Sequence, residues 1–381
     1  MKRICIEPRP DWEEKIRQQG FLFYKHESYY SETCAYEFDS KEIDAIETAT
    51  SKLFDMCLEV VDHVIKRKLW DEFFIPKKYA ELIEWSWKED QPSFYGRFDL
   101  AFNNGAVKLL EFNADTPTSL LESAVIQWYW LQDYNNKYDQ FNSIHEKLLA
   151  HLVICKQHLL DGPLHFSCVK DNLEDLMNVK YLQDAAAQAG FDTGFVYIED
   201  ISLDKREQFA NPNETAIRNI FKLYPYEWMF DEEFGKYLVA NREACYWIEP
   251  AYKAILSNKM LLKYLWDMFP GSEYLLPCTF IKPGGRGDHP LHYVKKPVYS
   301  REGANVSIVV NGKIIEETGG DYGEEGFLYQ QYFPLPEFEG NRPVIGSWII
   351  GDQAAGMGIR ESNGLITNNT SRFCPHYIKN G

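Results

Sequence analysis

Between Tyr95 and Ser119 the chain gathers residue types that could hold a metal and an anion together: Arg97, Asp99, Glu111 and Asn113, followed by Asp115-Thr116-Pro117-Thr118-Ser119. Carboxylates and a carboxamide are hard oxygen donors suited to Mg²⁺, which completes its shell with phosphate oxygens. Arg97 adds a planar fork for phosphate or carboxylate. That chemistry requires the groups to meet, and the local pattern predicts how. Phe98, Leu100 and Phe102 alternate with Arg97, Asp99 and Ala101, Asn104-Gly105 is a two-residue turn signal, and Val107, Leu109 and Leu110 resume an apolar strand. A hairpin folded at that turn predicts Asp99, Glu111 and Asn113 facing a common place beside Arg97. A helix should follow, carrying Leu120, Leu121, Ala124, Val125 and Trp128 on one face. It starts either with Pro117 in its first turn or with Ser119 and Glu122 as a capping box, and either start aims free N–H groups at the same place. Singly, each residue reads better as a solvated hairpin side chain or a helix stop. Their convergence is what points to a site.

The elements around this stretch must position it. Asp39 with Glu42 predicts an N-terminal cap, and Ile43, Ile46, Leu53, Cys57, Val60 and Val64 trace one face of a long helix to about Lys66. The aromatic run Phe21, Phe23, Tyr24, Tyr29, Tyr30 and Tyr36 reads as packing rather than a base-stacking platform. From Leu164 to Pro225 the pattern is α/β: a strand at Leu164 to Val169, a helix from Leu173 to Ala189 ending at Gly190, and strands at Phe195 to Ile198 and Ile220 to Leu223. Ligands sit outside the carboxyl ends of such strands, where Glu174-Asp175 and the stretch from Lys222 to Glu227 follow. A first-turn acid pair and an aromatic loop are equally good structural readings of those two segments. Neither a Gly-x-Gly-x-x-Gly after a strand nor a P-loop occurs, which removes most support for dinucleotide and P-loop readings.

The last 130 or so residues carry features suited to a nucleotide. Ser257-Asn258-Lys259 opens a helix and sets Lys259 near its start. On the strand Tyr293 to Val298, Lys296 shares a face with Val294 and Val298 and needs an anion if that face is inward, whereas Lys295 is free to be solvated. Ser300-Arg301-Glu302-Gly303-Ala304-Asn305-Val306 leads into a hairpin turning at Asn311-Gly312. Such a loop could close its N–H groups over phosphates while Arg301 pairs with a transferred group, or be an ordinary hairpin entry. The strand Phe327 to Phe333 offers contacts of the kind that hold an adenine ring, or is a core strand. A second hairpin, Val344 to Ile350 turning at Gly351-Asp352, leads to Gly356 through Glu361, where Arg360 is a candidate for charge neutralisation or a surface arginine on a glycine-rich edge.

The whole chain has 381 residues, 45% hydrophobic and 15% aromatic, enough for a large globular enzyme of two or three lobes. A net charge of −17 argues against nucleic-acid binding and permits a cationic substrate. Eight scattered cysteines (Cys5, Cys34, Cys57, Cys155, Cys168, Cys245, Cys278, Cys374) without a Cys-x-x-Cys pair read as reduced, mostly buried thiols. The N-terminus does not read as a secretory signal and no run approaches a membrane span, so a cytoplasmic protein without membrane partners is expected. Asn305-Val306-Ser307 and Arg286-Gly287-Asp288 are then chance matches to glycosylation and adhesion motifs.

Asp99 and Glu111 separated by eleven residues, then one residue before Asn113, is similar to the magnesium signature of the ATP-grasp ligases. Tyr-Gly-Arg-Phe-Asp and Leu-Leu-Glu-Phe-Asn-Ala-Asp-Thr-Pro-Thr-Ser, with Ser300 to Val306, Gly358 to Glu361 and Ser371-Arg372-Phe373, closely resemble the glutathionylspermidine synthase-like family over nearly the whole chain. The resemblance implies an α/β chain of α+β lobes: an ATP-grasp fold in permuted order, metal hairpin before nucleotide lysines, with a small doubly wound pre-ATP-grasp-like subdomain. It implies one synthetase domain over 1–381, with a helical scaffold and Mg-binding hairpin in 1–160, a substrate subdomain in 161–250, and an ATP-binding lobe and lid in 251–381. By the same resemblance Asp99, Glu111 and Asn113 would hold Mg²⁺. Arg97, Asp99, Lys259, Lys296, Glu302, Gly303, Gln330, Gln331, Tyr332, Phe333 and Leu365 would contact ATP. Arg97, Arg301 and Arg360 would stabilise transferred phosphate, while Thr116, Thr118, Ser119, Glu174 and Asp175 would meet substrate.

The implied reaction is ATP-dependent amide formation between a small peptide-like acid, such as glutathione, and a polyamine or amino compound, through an acyl phosphate under a lid made by the hairpin from Ser300 to Glu317. Family members that also hydrolyse the conjugate carry an amidase domain this sequence does not contain, so hydrolysis is not expected. Leu223 and Arg372 stand where the family's synthases carry a threonine and an acid, and a basic Arg372 at the amine site would repel spermidine. An ATP-binding regulatory protein without ligation and a phosphotransferase are the alternative classes.

Overall fold

The computed structural model describes residues 1–283, 292–368 and 371–379. Its centre is a five-stranded antiparallel sheet that joins distant parts of the chain, in the order Arg372–Cys374, Gln353–Ser362, Arg342–Ile350, Tyr95–Asn103, Ala106–Asn113. The hairpins predicted at Asn104-Gly105 and at Gly351-Asp352 are therefore neighbours in one sheet, with Gly346 opposite Asp99 and Ser347 opposite Phe98. The long helix Ser40–Arg67 packs on this sheet, and its Leu53 and Phe54 share a core with Phe98, Phe112 and Ile345. Its predicted capping box is formed: the Glu42 N–H donates to Asp39 Oδ1 at 2.9 Å and the Asp39 N–H to Glu42 Oε2 at 3.1 Å. A cap of this kind contributes about 1 kcal/mol. One polar link crosses the interface, Thr50 Oγ1 to Ser347 Oγ at 2.7 Å.

A second sheet is wholly parallel, in the order Tyr246–Ile248, Asn219–Leu223, Leu164–Cys168, Thr193–Phe195. The helix Leu173–Gln188 follows its first strand, capped by Asn172 Oδ1, and the chain leaves it through Gly190 at φ 86°. Expectation and structure differ at the second strand, which ends at Phe195. Residues Ile198–Asp200 turn as a 3₁₀ helix instead, and the strand Tyr246–Ile248 had not been expected.

A third sheet has the order Cys278–Thr279, Phe327–Gln331, Tyr293–Pro297, Ser307–Val310, Lys313–Glu317. Asn311 and Gly312 turn its outer hairpin at φ 52° and 74°, as the dipeptide predicts. The strand from Phe327 stops at Gln331, so Tyr332 and Phe333 lie beyond it, and the Tyr332 N–H donates to the His292 carbonyl at 2.9 Å. The strands Lys2–Cys5, Cys34–Phe38 and His376–Ile378 form a further sheet. The early aromatics pack as expected: Phe21, Tyr24, Tyr29, Tyr30 and Tyr36 are buried. Seven cysteines are buried, Cys5 is exposed and all are free thiols. Among the described residues no helix is long and apolar enough to cross a membrane. Arg286-Gly287-Asp288 lies outside the described residues.

Candidate functional site

The hairpin turns at Asn104 and Gly105, both at positive φ (50° and 80°), as a two-residue loop requires. Regular pairing from that turn sets Asn103 opposite Ala106 and Leu100 opposite Leu109. Continued without interruption it would set Asp99 opposite Leu110 and turn Glu111 and Asn113 to the other face, because side chains alternate with a period of two. A β-bulge at Leu110 prevents this: beyond it Asp99 is opposite Glu111 and Arg97 opposite Asn113. Alternation alone therefore does not bring the oxygen donors together; the extra residue does. It also lets Phe112 stack on Phe98, ring centroids 3.9 Å apart, on the core face.

Asn113 Nδ2 donates to Asp99 Oδ2 at 3.2 Å, and Arg97 Nε to Asp99 Oδ1 at 2.9 Å. Arg97 also donates to the Thr118 carbonyl at 2.6 Å and lies over Trp348, its Cζ 5.8 Å from the ring centroid. Gly346 makes room for it, since a Cβ there would come within 2.9 Å of Arg97 Cδ.

These groups form one wall of a cavity of about 350 Å³ where the three larger sheets meet. Arg97, Asp99, Glu111, Asn113, Thr116, Thr118, Glu174, Asp175, Lys296, Arg301, Glu302, Gly303, Gln330, Gln331, Tyr332, Phe333, Arg360 and Leu365 all line it. Two predicted residues do not. Lys259, buried at the start of the helix Met260–Met268, turns its amine to Glu111 Oε1 at 3.2 Å and the Ser300 carbonyl at 2.9 Å. Ser119 lies in a small adjoining cavity with Arg97, Asp99 and Arg360.

The predicted cap at Ser119 and Glu122 is not formed. Ser119 has φ 67°, its Oγ pairs with Tyr29 Oη at 2.7 Å, and Glu122 Oε1 accepts from the same hydroxyl at 2.9 Å. The Leu120 N–H donates instead to Asn178 Oδ1 at 3.0 Å, and the helix opens with a π turn, Glu122–Ile126. With both side chains turned to Tyr29, the reciprocal Ser119–Glu122 cap does not form. Arg372 is also not where the family pattern suggested: it lies outside the cavity, with its guanidinium on Glu361 at 2.9 Å and Asn341 at 2.5 Å. Burial raises the Glu361 carboxyl, but hydrogen bonds from Arg3 and Tyr36 and the charges of Arg3 and Arg372 hold it below the usual range.

Charges of both signs line the cavity, several of them in contact. On the parallel-sheet side, burial and then Glu174 push the Asp175 carboxyl up to about 7, with Arg301 opposing. Behind it, burial pushes Glu122 up to about 7, with Glu174 adding to the shift. Burial lowers the Lys296 amine, which donates to the Leu110 carbonyl at 2.8 Å and Gln330 Oε1 at 2.9 Å. Arg301 donates to Thr116 Oγ1 at 2.6 Å and Glu227 Oε1 at 2.9 Å and lies over Trp228. Among the described residues, the Nε atoms of Arg301 and Arg360 are buried and lack a partner.

Lys222 was not singled out as a functional residue. Its amine lies 2.6 Å from Asp115 Oδ1, both side chains fully buried, and Asp115 Oδ2 accepts the Tyr226 N–H at 3.0 Å. Nearby, the Lys253 amine donates to the Tyr95 and Ala114 carbonyls and lies 3.3 Å from Glu249 Oε2. The signal was present, because a lysine set between Ile220, Phe221 and Leu223 on a buried strand demands an anion.

Comparison with known proteins shows the family. The family described as glutathionylspermidine synthase preATP-grasp matches residues 3–379. The chain belongs to this family. A Haemophilus influenzae protein named "Putative acid--amine ligase" is 40% identical over 394 residues, spanning 99% of this chain and 100% of that protein. The trypanothione synthetase of Crithidia fasciculata is 28% identical over 389 residues, and the bifunctional glutathionylspermidine synthetase/amidase of Escherichia coli 25% over 358. This chain spans 57% and 56% of the length of those two. A glutathione synthetase-like effector of Globodera pallida shares the fold at a TM-score of 0.58 and 11% identity, over 99% of this chain and 100% of that structure. This family member is thus a mixed α/β protein whose relatives are named as a ligase and synthetases.

Proposed function

We propose that the chain is an ATP- and Mg²⁺-dependent acid–amine ligase with an ATP-grasp fold in permuted order. One observation carries the reading: the partnerless Nε atoms of Arg301 and Arg360 belong to side chains that line the same cavity as the oxygen donors Asp99, Glu111 and Asn113. A buried guanidinium N–H without an acceptor favours an anion, and hard oxygen donors beside it favour a divalent cation. The donor set therefore fits Mg²⁺ bound with a polyphosphate. When bound, Mg²⁺ would supply charge neutralisation to the phosphate oxygens. In this reading Lys296 and the segment from Gln330 to Phe333 hold the nucleotide with Leu365, Glu302 and Gly303, while Lys259 acts through Glu111. Segment 1–160 supplies the metal side and borders the acid, 161–250 supplies the amine side, and 251–381 the nucleotide side.

The chain's own work is positioning. Arg97, Arg301 and Arg360 neutralise charge as the substrate carboxylate takes the γ-phosphoryl group and ADP leaves; the amine then displaces phosphate, losing a proton as the C–N bond forms. Thr116, Thr118 and Ser119 border the acid, and Glu174 and Asp175 are the amine's partners, with an acid of the glutathione type and a polyamine or amino compound as substrates. The test is ADP release with Mg·ATP against a panel of carboxylates, each with and without amines, with products read by mass. A new amide mass in step with ADP is expected, and Asp99→Ala should lower that turnover at least about 100-fold while keeping the fold. Normal turnover in Asp99→Ala would remove the metal assignment. ADP with a phosphorylated product and no amide would point to a phosphotransferase, and ATP binding without any ADP to a regulatory protein.

A further inference from the structure

The hairpin Ser307–Val310 and Lys313–Glu317 forms the edge of its sheet, yet it is fastened at one point to a loop from a different sheet. The Glu316 carboxylate accepts the Leu365 N–H at 2.9 Å on each oxygen and the Ile366 N–H at 3.0 Å on Oε1. Residues 363–367 follow the strand Gln353–Ser362 of the central sheet, and Leu365 and Ile366 line the cavity, so these bonds tie the hairpin to that wall. Three further observations belong to the same contact. A Cβ at Gly364 would come within 2.6 Å of Glu316 Oε1, so the carboxylate reaches the loop only because that position has no side chain. Val306, Ile308 and Ile366 form a small apolar cluster of their own, with Leu365 and Tyr332 packed against it. At the hairpin's base, a Cβ at Gly303 would come within 2.5 Å of the Thr367 carbonyl. Gly303 and Val306 at the hairpin's base, Ile308 on it, and Leu365, Ile366 and Thr367 on the loop all line the cavity, so parting the contact opens it.

We propose that Glu316 is the latch that holds this hairpin shut over the cavity and thereby sets how much of the activated acid reaches the amine rather than water. This second part rests on the ligase reading above. Glu316 is a positioning residue: it does not line the cavity, and its charge is directed into two backbone N–H groups of the opposite wall. A carboxylate receiving backbone N–H bonds is among the stronger hydrogen-bond arrangements, and it leaves room for opening because, among the described residues, one side chain and a small apolar cluster join the hairpin to the opposite loop. Water admitted to an acyl phosphate gives the free acid and phosphate, so a loosened latch should raise ADP release without amide.

The test has two readouts on the intact protein. Amide hydrogen exchange, without ligand, should be about tenfold faster in Glu316→Ala across 306–317 and at Leu365 and Ile366, equivalent to about 1.4 kcal/mol of opening free energy. Exchange in Tyr95–Asn103 and Arg342–Ile350 should stay unchanged, which excludes general unfolding. Gly364→Ala should reproduce the effect with Glu316 intact, and Glu316→Gln, which keeps one acceptor oxygen, should recover part of it. With Mg·ATP, glutathione and spermidine as the probe set, ADP per amide should rise several-fold in Glu316→Ala. Wild-type exchange rates in Glu316→Ala would overturn the latch. Faster exchange with ADP per amide unchanged would overturn its link to coupling. A wild-type protein that releases no ADP with any acid and amine would count against the ligase reading, and the exchange data would still decide the latch.

Discussion

Lys222→Met should destabilise the protein by about 4 kcal/mol at pH 8, because it leaves the Asp115 carboxylate buried with only the Tyr226 N–H, 3.0 Å away, as a partner. The lysine and aspartate side chains are 0% and 1% exposed and 2.6 Å apart, the situation in which breaking a pair costs about 3–5 kcal/mol. Unfolding entropy of about 2.1 cal/mol/K per residue over 381 residues gives about 0.8 kcal/mol/K, so the melting temperature should fall by about 5 °C. Burial already raises the Asp115 carboxyl, and loss of Lys222 raises it further. A carboxyl with a raised folded-state pKa loses stability as pH climbs from about 3.9, its unfolded value, through the folded value. The deficit of Lys222→Met should therefore be smaller at pH 5 than at pH 8. Lys222→Met with Asp115→Asn should recover most of it, since the carboxamide still accepts from Tyr226 and carries no charge. Calorimetric melts of the three proteins at both pH values decide the matter. A drop under about 1 °C, or one independent of pH, would refute the reasoning. The same pair seats Thr116, one residue on, whose hydroxyl accepts from Arg301 at 2.6 Å, so the single variant should also weaken whatever Arg301 holds.

Asp175, with its carboxyl pushed up to about 7 by burial and Glu174, contributes stability that is complete below about pH 3.9 and is lost as pH rises through about 7. Asp175→Asn should flatten the fall in melting temperature between pH 5 and pH 8 and melt above the wild type at pH 8; parallel melting curves would contradict this. Arg372→Met should lower stability by only about 1 kcal/mol, because Glu361 keeps the two Arg3 bonds at 2.8 and 2.9 Å. The preference among amines in the ligation panel should not change in that variant, and a gain of polyamine turnover would show that Arg372 reaches the amine after all.

Much of the site was legible because its signals are local. Asn104-Gly105 and Asn311-Gly312 announce their turns through backbone sterics, the Asp39 and Glu42 cap through chemistry three residues apart, and an inward Lys296 through the pattern of its own strand. The family, too, was readable in the words around Asp99, Glu111 and Asn113. What remained hidden depended on where a segment's neighbours lie. The phase slip at Leu110 was written only as two adjacent leucines, and pairing with Tyr95–Asn103 was needed to show that it swings Glu111 and Asn113 onto the face of Asp99. Ser119 and Glu122 have the spacing of a capping box, yet Tyr29, some ninety residues earlier in the chain, takes both side chains. Arg372 looked like a cavity residue until Glu361, Asn341 and Asn363 proved closer. The latch from Glu316 to Leu365 and Ile366 spans about fifty residues and two sheets. Sequence determines which donors, acceptors and charges exist and which local conformations they favour; only the folded chain decides which of them meet, because a buried polar group takes the nearest partner in space whatever its distance along the chain.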